Sequence, residues 1–211
     1  EAADKKYLIT TTTADKEELI DPATGEPLPL FLTTDQFVDA FTPLAIGVDV
    51  ARFGRNNSVI FPRKGRDART IERRLYSGLS TTELAARVSD CFTLWRPDGI
   101  FIDGGGVGGG VVDQCRQARL FVWEIQFGAK DSISGINLDN AGERYANMRA
   151  AMYGALRAWI KTGALPPSPE LRTAMLAITY TFNVRDEIQL TSKEDLLDDN
   201  PDLDLDTLDA L

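Results

Sequence analysis

The spacing of apolar residues changes partway along this chain, and that change constrains the fold more than any other feature of the sequence. From residue 44 the apolar residues come in short runs typical of strands, with the turn RKGRDAR (63–69) between two of them. In STTELAARVSDCFTLW (80–95) they recur at helical intervals, with Ser80 or Thr81 as the expected N-cap. The sequence therefore predicts a group of strands followed by alternating helices and strands.

The elements predicted up to residue 127 define a mixed sheet. They are strands at 44–50, 56–62 and 70–78, a helix at 80–95, a strand at 99–103, a helix at 110–118 and a strand at 120–127. The first three strands form a meander, and the last three elements form a strand–helix–strand unit with parallel strands. We expect an α/β fold with a mixed β-sheet, a three-strand meander plus parallel strands, flanked by helices on both faces.

The remainder of the chain is predicted to be mainly helical, and its first part to be an appendage. We expect a long helix over ERYANMRAAMYGALRAWIKTG (143–163), a second over 170–178, a hairpin from TYTFNV and EIQLTS, and a short helix near DTLDAL. Residues 1–43 mix Thr, Asp, Glu and Pro and are predicted to be a linker or arm. The folded domain is then residues 44–211.

Composition excludes several kinds of site. The 211 residues include no histidine and two cysteines, Cys91 and Cys115, which are far apart. Catalytic Ser-His or Cys-His pairs are therefore excluded, and neither a zinc site nor a disulfide framework is expected. No apolar run approaches the roughly 20 residues of a membrane span, and the N-terminus lacks a signal-peptide pattern. We expect a cytoplasmic protein without membrane association, and the missing initiator Met suggests a fragment.

The distribution of charge matters more than the net charge of −9. Such a charge argues against a nucleic-acid partner, because phosphate-binding surfaces are normally basic. However, the segment after Lys193 carries eight carboxylates and no base, so the rest of the chain is close to neutral. Basic residues gather in the 63–69 turn and at 72–74, where a solvated hairpin is the simpler interpretation.

Two aspartates, Asp49 and Asp103, each end a predicted buried strand and precede a glycine-containing turn. A carboxylate beside a core is costly unless its charge is compensated. Each Asp on its own is explained equally well as a cap of the following turn. Two of them in one domain, with further Asp residues in the tail, favour a site for a hard divalent cation.

The loop GGGVGGG (104–110) suits two interpretations. It is not a P-loop, because GxxxxGK[ST] needs a Lys and a hydroxyl residue. Gly104, Gly106 and Gly109 do match GxGxxG, and Glu124 lies where a ribose-binding acid is expected, so a dinucleotide- or nucleotide-binding domain stays an alternative. Against it, Asp103 would point its charge at the pyrophosphate, and Asp49 would have no role.

The other interpretation is that the glycines leave room beside Asp103. Without side chains at Gly104, Gly105, Gly106 and Gly108, a large polyanion and its metals can approach the aspartate directly. The N-terminus of the following helix adds amide dipoles that favour phosphate. We expect the aspartate to be the working residue and the glycines to provide clearance.

Five segments together carry a family resemblance. GVDVARFG with Asp49, FIDGGGVGGGVVD with Asp103, ERYANMRAAMY, EIQLTSKEDL and DTLDAL, in this order, resemble the nuclease domain of the large terminase subunit of tailed bacteriophages. The resemblance implies a ribonuclease H-like fold and a metal-dependent endonuclease that cuts concatemeric double-stranded viral DNA in the host cell cytoplasm. It also implies the terminase ATPase domain, absent here, the portal and the small terminase subunit as partners.

The resemblance also implies the site residues. The catalytic carboxylates fall on Asp49, Asp103 and Asp209, with Asp206 as an auxiliary metal ligand; Asp202 and Asp204 are the competing choices in the tail. Two Mg²⁺ or Mn²⁺ ions held by these residues would hydrolyse a phosphodiester bond. A junction resolvase or another ribonuclease H-like nuclease, and a non-catalytic docking module, stay open as alternatives.

DNA contacts are expected from basic residues. The turn residues Arg63, Lys64, Arg66 and Arg69 are predicted to bind backbone phosphates, with an affinity that falls steeply with salt. Lys193 is predicted to orient water or phosphate near the site, although a surface lysine explains it equally well. Arg149 on the long helix faces either the DNA or the solvent.

Overall fold

The computed structural model describes residues 6–8, 31–33, 42–51, 57–130 and 143–211. The chain divides into two units, Glu1–Pro43 and Leu44–Leu211. In the first unit, strands β1 (Lys6–Leu8) and β2 (Phe31–Thr33) pair antiparallel. The second unit contains all the other described elements.

A five-stranded mixed sheet forms the centre of the second unit. Its strands are β3 (Leu44–Asp49), β4 (Ser58–Lys64), β5 (Arg74–Tyr76), β6 (Gly99–Asp103) and β7 (Trp123–Ile125). Their order across the sheet is β5-β4-β3-β6-β7. The pairs β3–β4 and β4–β5 are antiparallel, and β3–β6 and β6–β7 are parallel. The predicted meander plus parallel strands is confirmed.

One face of the sheet is covered by helices α1 (Thr81–Trp95) and α2 (Gly108–Gln117). Ser80 caps α1 as predicted, and a reciprocal bond from its N–H to Glu83 completes a capping box. The buried core on this face consists of apolar side chains from β3, β4 and β6 and from both helices, among them Ile46, Val48, Ile60, Ile100, Ile102, Leu84, Val88, Val111 and Val112.

The opposite face is covered by α3 (Met148–Trp159), α4 (Pro169–Ala177), α5 (Lys193–Asp199) and α6 (Leu205–Ala210). Leu171, Leu205 and Leu208 bury their side chains here against Val59 and Phe61. The predicted hairpin is present as β8 (Tyr180–Phe182) and β9 (Ile188–Leu190). Helices therefore flank both faces, as predicted, and none of those described has the length and hydropathy to cross a bilayer.

Some elements differ from the prediction. The strands at 70–78 and 120–127 shorten to the three-residue β5 and β7. The long helix begins at Met148 because Asn147 accepts a hydrogen bond from the Ala150 N–H as its N-cap, while Tyr145 forms a bridge to Ile188. Helix α5 was not predicted as a separate element, although Ser192 caps it by accepting from the Asp195 N–H at 3.0 Å.

Candidate active site

The parallel pairing of β3 and β6 brings the two predicted strand-end aspartates together. Val48 pairs with Ile102, so Asp49 and Asp103 follow side by side at the carboxyl end of the sheet. Because strand side chains alternate and Val48 and Ile102 pack under α1 and α2, both aspartates face the α3–α6 side. Asp49 is 6% exposed, and Asp103 is half-buried.

Helix α6 adds the third and fourth carboxylates. Leu205 and Leu208 anchor it in the core, and Asp206 and Asp209, one helical turn apart, lie beside the strand ends. The Asn57 N–H donates to Asp206 Oδ2 at 3.0 Å. Of the competing tail residues, Asp204 instead caps α6 by accepting from the Thr207 N–H at 3.1 Å, and Asp202 is exposed.

Lys193, the first residue of α5, places its ammonium among three of these carboxylates. Its Nζ lies 2.8 Å from Asp206 Oδ1, 3.2 Å from Asp209 Oδ2 and 3.9 Å from Asp49 Oδ2. The side chain is about one-third exposed. Lys193 thus lies among these carboxylates, and we call the group Asp49, Asp103, Asp206, Asp209 and Lys193 the carboxylate cluster.

Two residues of α3, Arg149 and Tyr153, also contact the cluster. Arg149 Nε donates to Asp209 Oδ1 at 3.1 Å, and the Tyr153 hydroxyl donates to the same oxygen at 2.6 Å. The Arg149 side chain, 13% exposed, is turned into the site. Sequence reasoning missed Tyr153; the signal was its position one turn after Arg149 on the same helix face.

The electrostatics of the cluster follow from burial and crowding. Burial raises the pKa of Asp49 to about 8; Lys193 opposes this shift, and the charges of Asp209, Asp206 and Asp103 add to it. For Lys193, burial lowers the pKa, but the carboxylates outweigh burial and hold the pKa above its ordinary value. The four acids outnumber the two cationic side chains, Lys193 and Arg149, so the cluster carries an excess of negative charge when all four acids are ionised.

The donor chemistry fits a hard divalent cation. All the acidic ligands offered are carboxylate oxygens, which Mg²⁺ and Mn²⁺ prefer, and the excess negative charge favours a further cation. Within the described residues, no three acidic side chains are already arranged as a set of metal ligands. The Lys193 ammonium lies among three of the carboxylates instead, so this position already stabilises positive charge.

The structure gives intramolecular reasons for three loop glycines. A Cβ on Gly108 would lie 1.8 Å from the Asp103 carbonyl oxygen, and one on Gly104 would lie 2.4 Å from Glu124 Cγ. Gly106 has a φ of +53°, which favours glycine. The Gly105 N–H donates to Asp103 Oδ1 at 2.9 Å, which holds that carboxylate. Clearance for a substrate stays a prediction beside these reasons.

The nucleotide-binding interpretation finds little support in the structure. Glu124 pairs with Ile102 in the sheet, so its side chain and that of Asp103 project from opposite faces of the sheet. It accepts a hydrogen bond from Gln126 at 2.7 Å and pairs with Arg116. Two of the neighbouring strand pairs are antiparallel, unlike the doubly wound parallel sheet that binds dinucleotides.

The basic turn at 63–69 lies at the other end of the sheet. Lys64 pairs with Leu44, at the opposite end of β3 from Asp49, a distance of roughly 17 Å along the strand. The Arg63 guanidinium stacks over Trp159, Arg66 donates to the Trp159 carbonyl oxygen at 3.2 Å, and Arg69 bonds Asp67. These arginines have structural contacts, and DNA binding by the turn stays a prediction.

The order of the mixed sheet, with helices on both faces, is that of a ribonuclease H-like α/β fold. No protein-family model matches the chain, and no curated protein matches it in sequence. Solved structures do match. The nuclease domain of the large terminase subunit gp2 of bacterial virus Sf6 superposes with a TM-score of 0.65 at 14% identity, over 80% of this chain and 85% of that one.

Several of the matching structures were solved with divalent metals, among them the following two. A mutant of the Sf6 domain solved with manganese gives a TM-score of 0.63 at 13% identity, over 80% of this chain and 85% of that one. The large terminase nuclease from thermophilic phage G20c with bound magnesium gives 0.56 at 12% identity, over 81% and 78%. The resemblance drawn from five sequence segments is therefore confirmed as a shared fold.

Lys193 provides a direct test of the cluster's charge. Replacing Lys193 with Met should lower the unfolding temperature of the metal-free protein by roughly 5–10 °C, because buried carboxylates lose their cationic partner. Adding Mn²⁺ should then raise that temperature more in the variant than in the wild type. Thermal unfolding with and without Mn²⁺ measures both effects, and exposed Lys161→Met is the control. Equal Mn²⁺ shifts in the variant and the wild type would contradict this account.

Proposed function

We propose that this chain is the metal-dependent endonuclease domain of a viral DNA-packaging terminase and that it cleaves concatemeric double-stranded DNA. The observation that carries the proposal is the carboxylate cluster at the carboxyl ends of β3 and β6 in a ribonuclease H-like sheet. The magnesium and manganese structures of similar domains support the choice of Mg²⁺ or Mn²⁺. Residues 44–211 would form the nuclease domain, and residues 1–43 a linker or arm.

The reaction follows from what the side chains can hold. Asp49, Asp103 and Asp209, with Asp206 as auxiliary, would hold two divalent ions, which when bound supply an activated water and neutralise charge on the leaving 3′ oxygen. The Gly105 N–H and the α3 contacts keep Asp103 and Asp209 in place. Lys193 lies beside the carboxylates. Once its ammonium is displaced from them, it would still be close enough to orient a phosphate or water.

DNA would be held mainly through its phosphates. The proposed contacts are Lys193 within the carboxylate cluster and Arg149 beside it. At the far end of the sheet they are Arg63 and Lys64, which end β4, and Arg66 and Arg69 in the turn that follows. The terminase ATPase domain, the portal and the small subunit would be its partners in the host cytoplasm. These assignments rest on the family resemblance together with the shared fold.

A plasmid assay tests the proposed function. Wild-type protein should nick and linearise supercoiled plasmid with Mn²⁺ or Mg²⁺ and leave it intact with EDTA. Asp209→Asn should reduce the rate at least roughly a hundredfold, because it removes one proposed ligand, whereas exposed Asp202→Asn in the same tail should cut like the wild type. An intact plasmid in every metal would refute the proposal, and selective cleavage of a four-way junction would indicate a resolvase instead.

A further inference from the structure

We propose that Tyr153 and Arg149 are positioning residues that hold Asp209 so that one of its two oxygens, Oδ2, faces the metal position. The inference rests on the proposed function, because it takes Asp209 as a metal ligand. It concerns the contacts that determine which oxygen of Asp209 can bind a metal.

The two oxygens of Asp209 have different partners. Oδ1 accepts from the Tyr153 hydroxyl at 2.6 Å and from Arg149 Nε at 3.1 Å. Oδ2 lies 3.2 Å from Lys193 Nζ, inside the carboxylate cluster. A carboxylate oxygen has about two acceptor positions, so the two α3 donors occupy Oδ1. Only Oδ2 is directed at the position where positive charge is bound.

Tyr153 and Arg149 also hold each other in place. Arg149 Nη2 donates to the Tyr153 hydroxyl at 3.3 Å, and the guanidinium lies 4.9 Å from the centre of the Tyr153 ring. The two residues are one helical turn apart and therefore project from the same face of α3. The hydroxyl thus accepts from Arg149 while donating to Asp209, which fixes the direction of its proton.

Burial makes this arrangement difficult to rearrange. The Asp209 side chain is 3% exposed, and that of Arg149 is 13% exposed. If the carboxylate rotated to present both oxygens to one ion, the two donors would be left without an acceptor in a place that water reaches poorly, which is costly. Asp209 should therefore bind through one oxygen.

The start of α3 is attached to the sheet end that bears Asp103. The Met148 N–H donates to the Ala129 carbonyl oxygen at 2.8 Å, and the Arg149 N–H donates to the Phe127 carbonyl oxygen at 3.1 Å. Ala129 and Phe127 follow β7, which pairs with β6. Arg149 and Tyr153, which donate to Asp209, are thus held in place relative to the strand ends. Through Asp209 they fix the position of α6 relative to the same strand ends.

Tyr153→Phe is the sharpest variant, because it removes the hydroxyl and keeps the ring. Mn²⁺ binding to the protein without DNA, measured by calorimetry, should weaken roughly tenfold, as expected when a partner that orients a metal ligand is lost. In plasmid cleavage, the Mn²⁺ concentration for half-maximal rate should rise by a similar factor, and the rate at saturating Mn²⁺ should change less. Arg149→Lys, which keeps the charge but loses the planar donor group, should shift both in the same direction.

Tyr145→Phe is the matched control, since the Tyr145 hydroxyl donates to Glu143, outside the cluster. It should bind Mn²⁺ like the wild type. Thermal unfolding must show that each variant folds. Wild-type Mn²⁺ affinity and metal dependence in folded Tyr153→Phe and Arg149→Lys would overturn the inference. A wild type that binds Mn²⁺ but cuts no DNA would refute the proposed function while leaving the calorimetric comparison decisive; a wild type that binds no Mn²⁺ would overturn both.

Discussion

Asp49→Asn and Asp103→Asn should each reduce metal-dependent plasmid cleavage by roughly a thousandfold or more. Both carboxylates lie at adjacent strand ends on the face covered by α6, beside Asp206 and Asp209. Asn keeps the shape of the side chain but removes the charge that a divalent ion needs. The loss should persist at high metal concentration, because the missing ligand cannot be replaced from solution.

The same substitution at Asp49 should leave the metal-free protein at least as stable as the wild type. Burial and the neighbouring carboxylates raise the pKa of Asp49 to about 8, so its charged form is disfavoured in the folded state. Between the ordinary pKa and about 8 the folded protein binds more protons there than the unfolded chain, so this contribution to stability decreases as the pH rises. At neutral pH Asn avoids that cost.

The measurements are initial cleavage rates across a Mn²⁺ titration and thermal unfolding with EDTA. The control is Asp113→Asn, an exposed acid on α2 beneath the other face of the sheet. If either site variant cuts at more than about a tenth of the wild-type rate, the residue does not hold the catalytic metal. A lower unfolding temperature for Asp49→Asn would show that its negative charge stabilises the metal-free fold.

Gly47→Ala should displace α6 and lose both activity and stability. A Cβ on Gly47 would lie 2.0 Å from the Ala210 carbonyl oxygen, and because that is a backbone atom no side-chain rotation can relieve the clash. The helix must move by roughly 1 Å, and misplacements of that size can cost a hundredfold in rate. Overpacking of this kind should also lower the unfolding temperature by roughly 5 °C.

Gly110→Ala is the control for Gly47. Gly110 lies within α2, where an added Cβ would meet Thr81 at an ordinary 3.4 Å, and alanine favours the helix. Gly110→Ala should cut and unfold like the wild type or slightly better. Wild-type rates in Gly47→Ala would mean that the close packing of α6 on β3 is not needed to place Asp206 and Asp209.

Local patterns were sufficient to predict the framework of this protein. Runs of apolar residues, a capping pattern at Ser80 and turn-forming glycines act over a few residues, so their spacing is visible in the sequence. Asp49 and Asp103 were recognised in the same way, as charged ends of apolar strands. Asp209 is predicted as a site residue only because DTLDAL resembles the family's closing motif. The charge pattern alone indicates that it belongs to an acidic tail.

Which of these residues meet, and which contacts hold them, depends on the packing of distant segments. Asn57 and Asp206 are 149 residues apart in the chain, and Arg149 and Asp209 are 60 apart, so no local pattern reports their contacts. The position of Lys193 inside the cluster and the role of Gly47 likewise depend on how α5 and α6 pack on the sheet. The order of elements and the two strand-end acids follow from spacing within short segments, whereas packing between distant segments brings the other residues of the cluster to them.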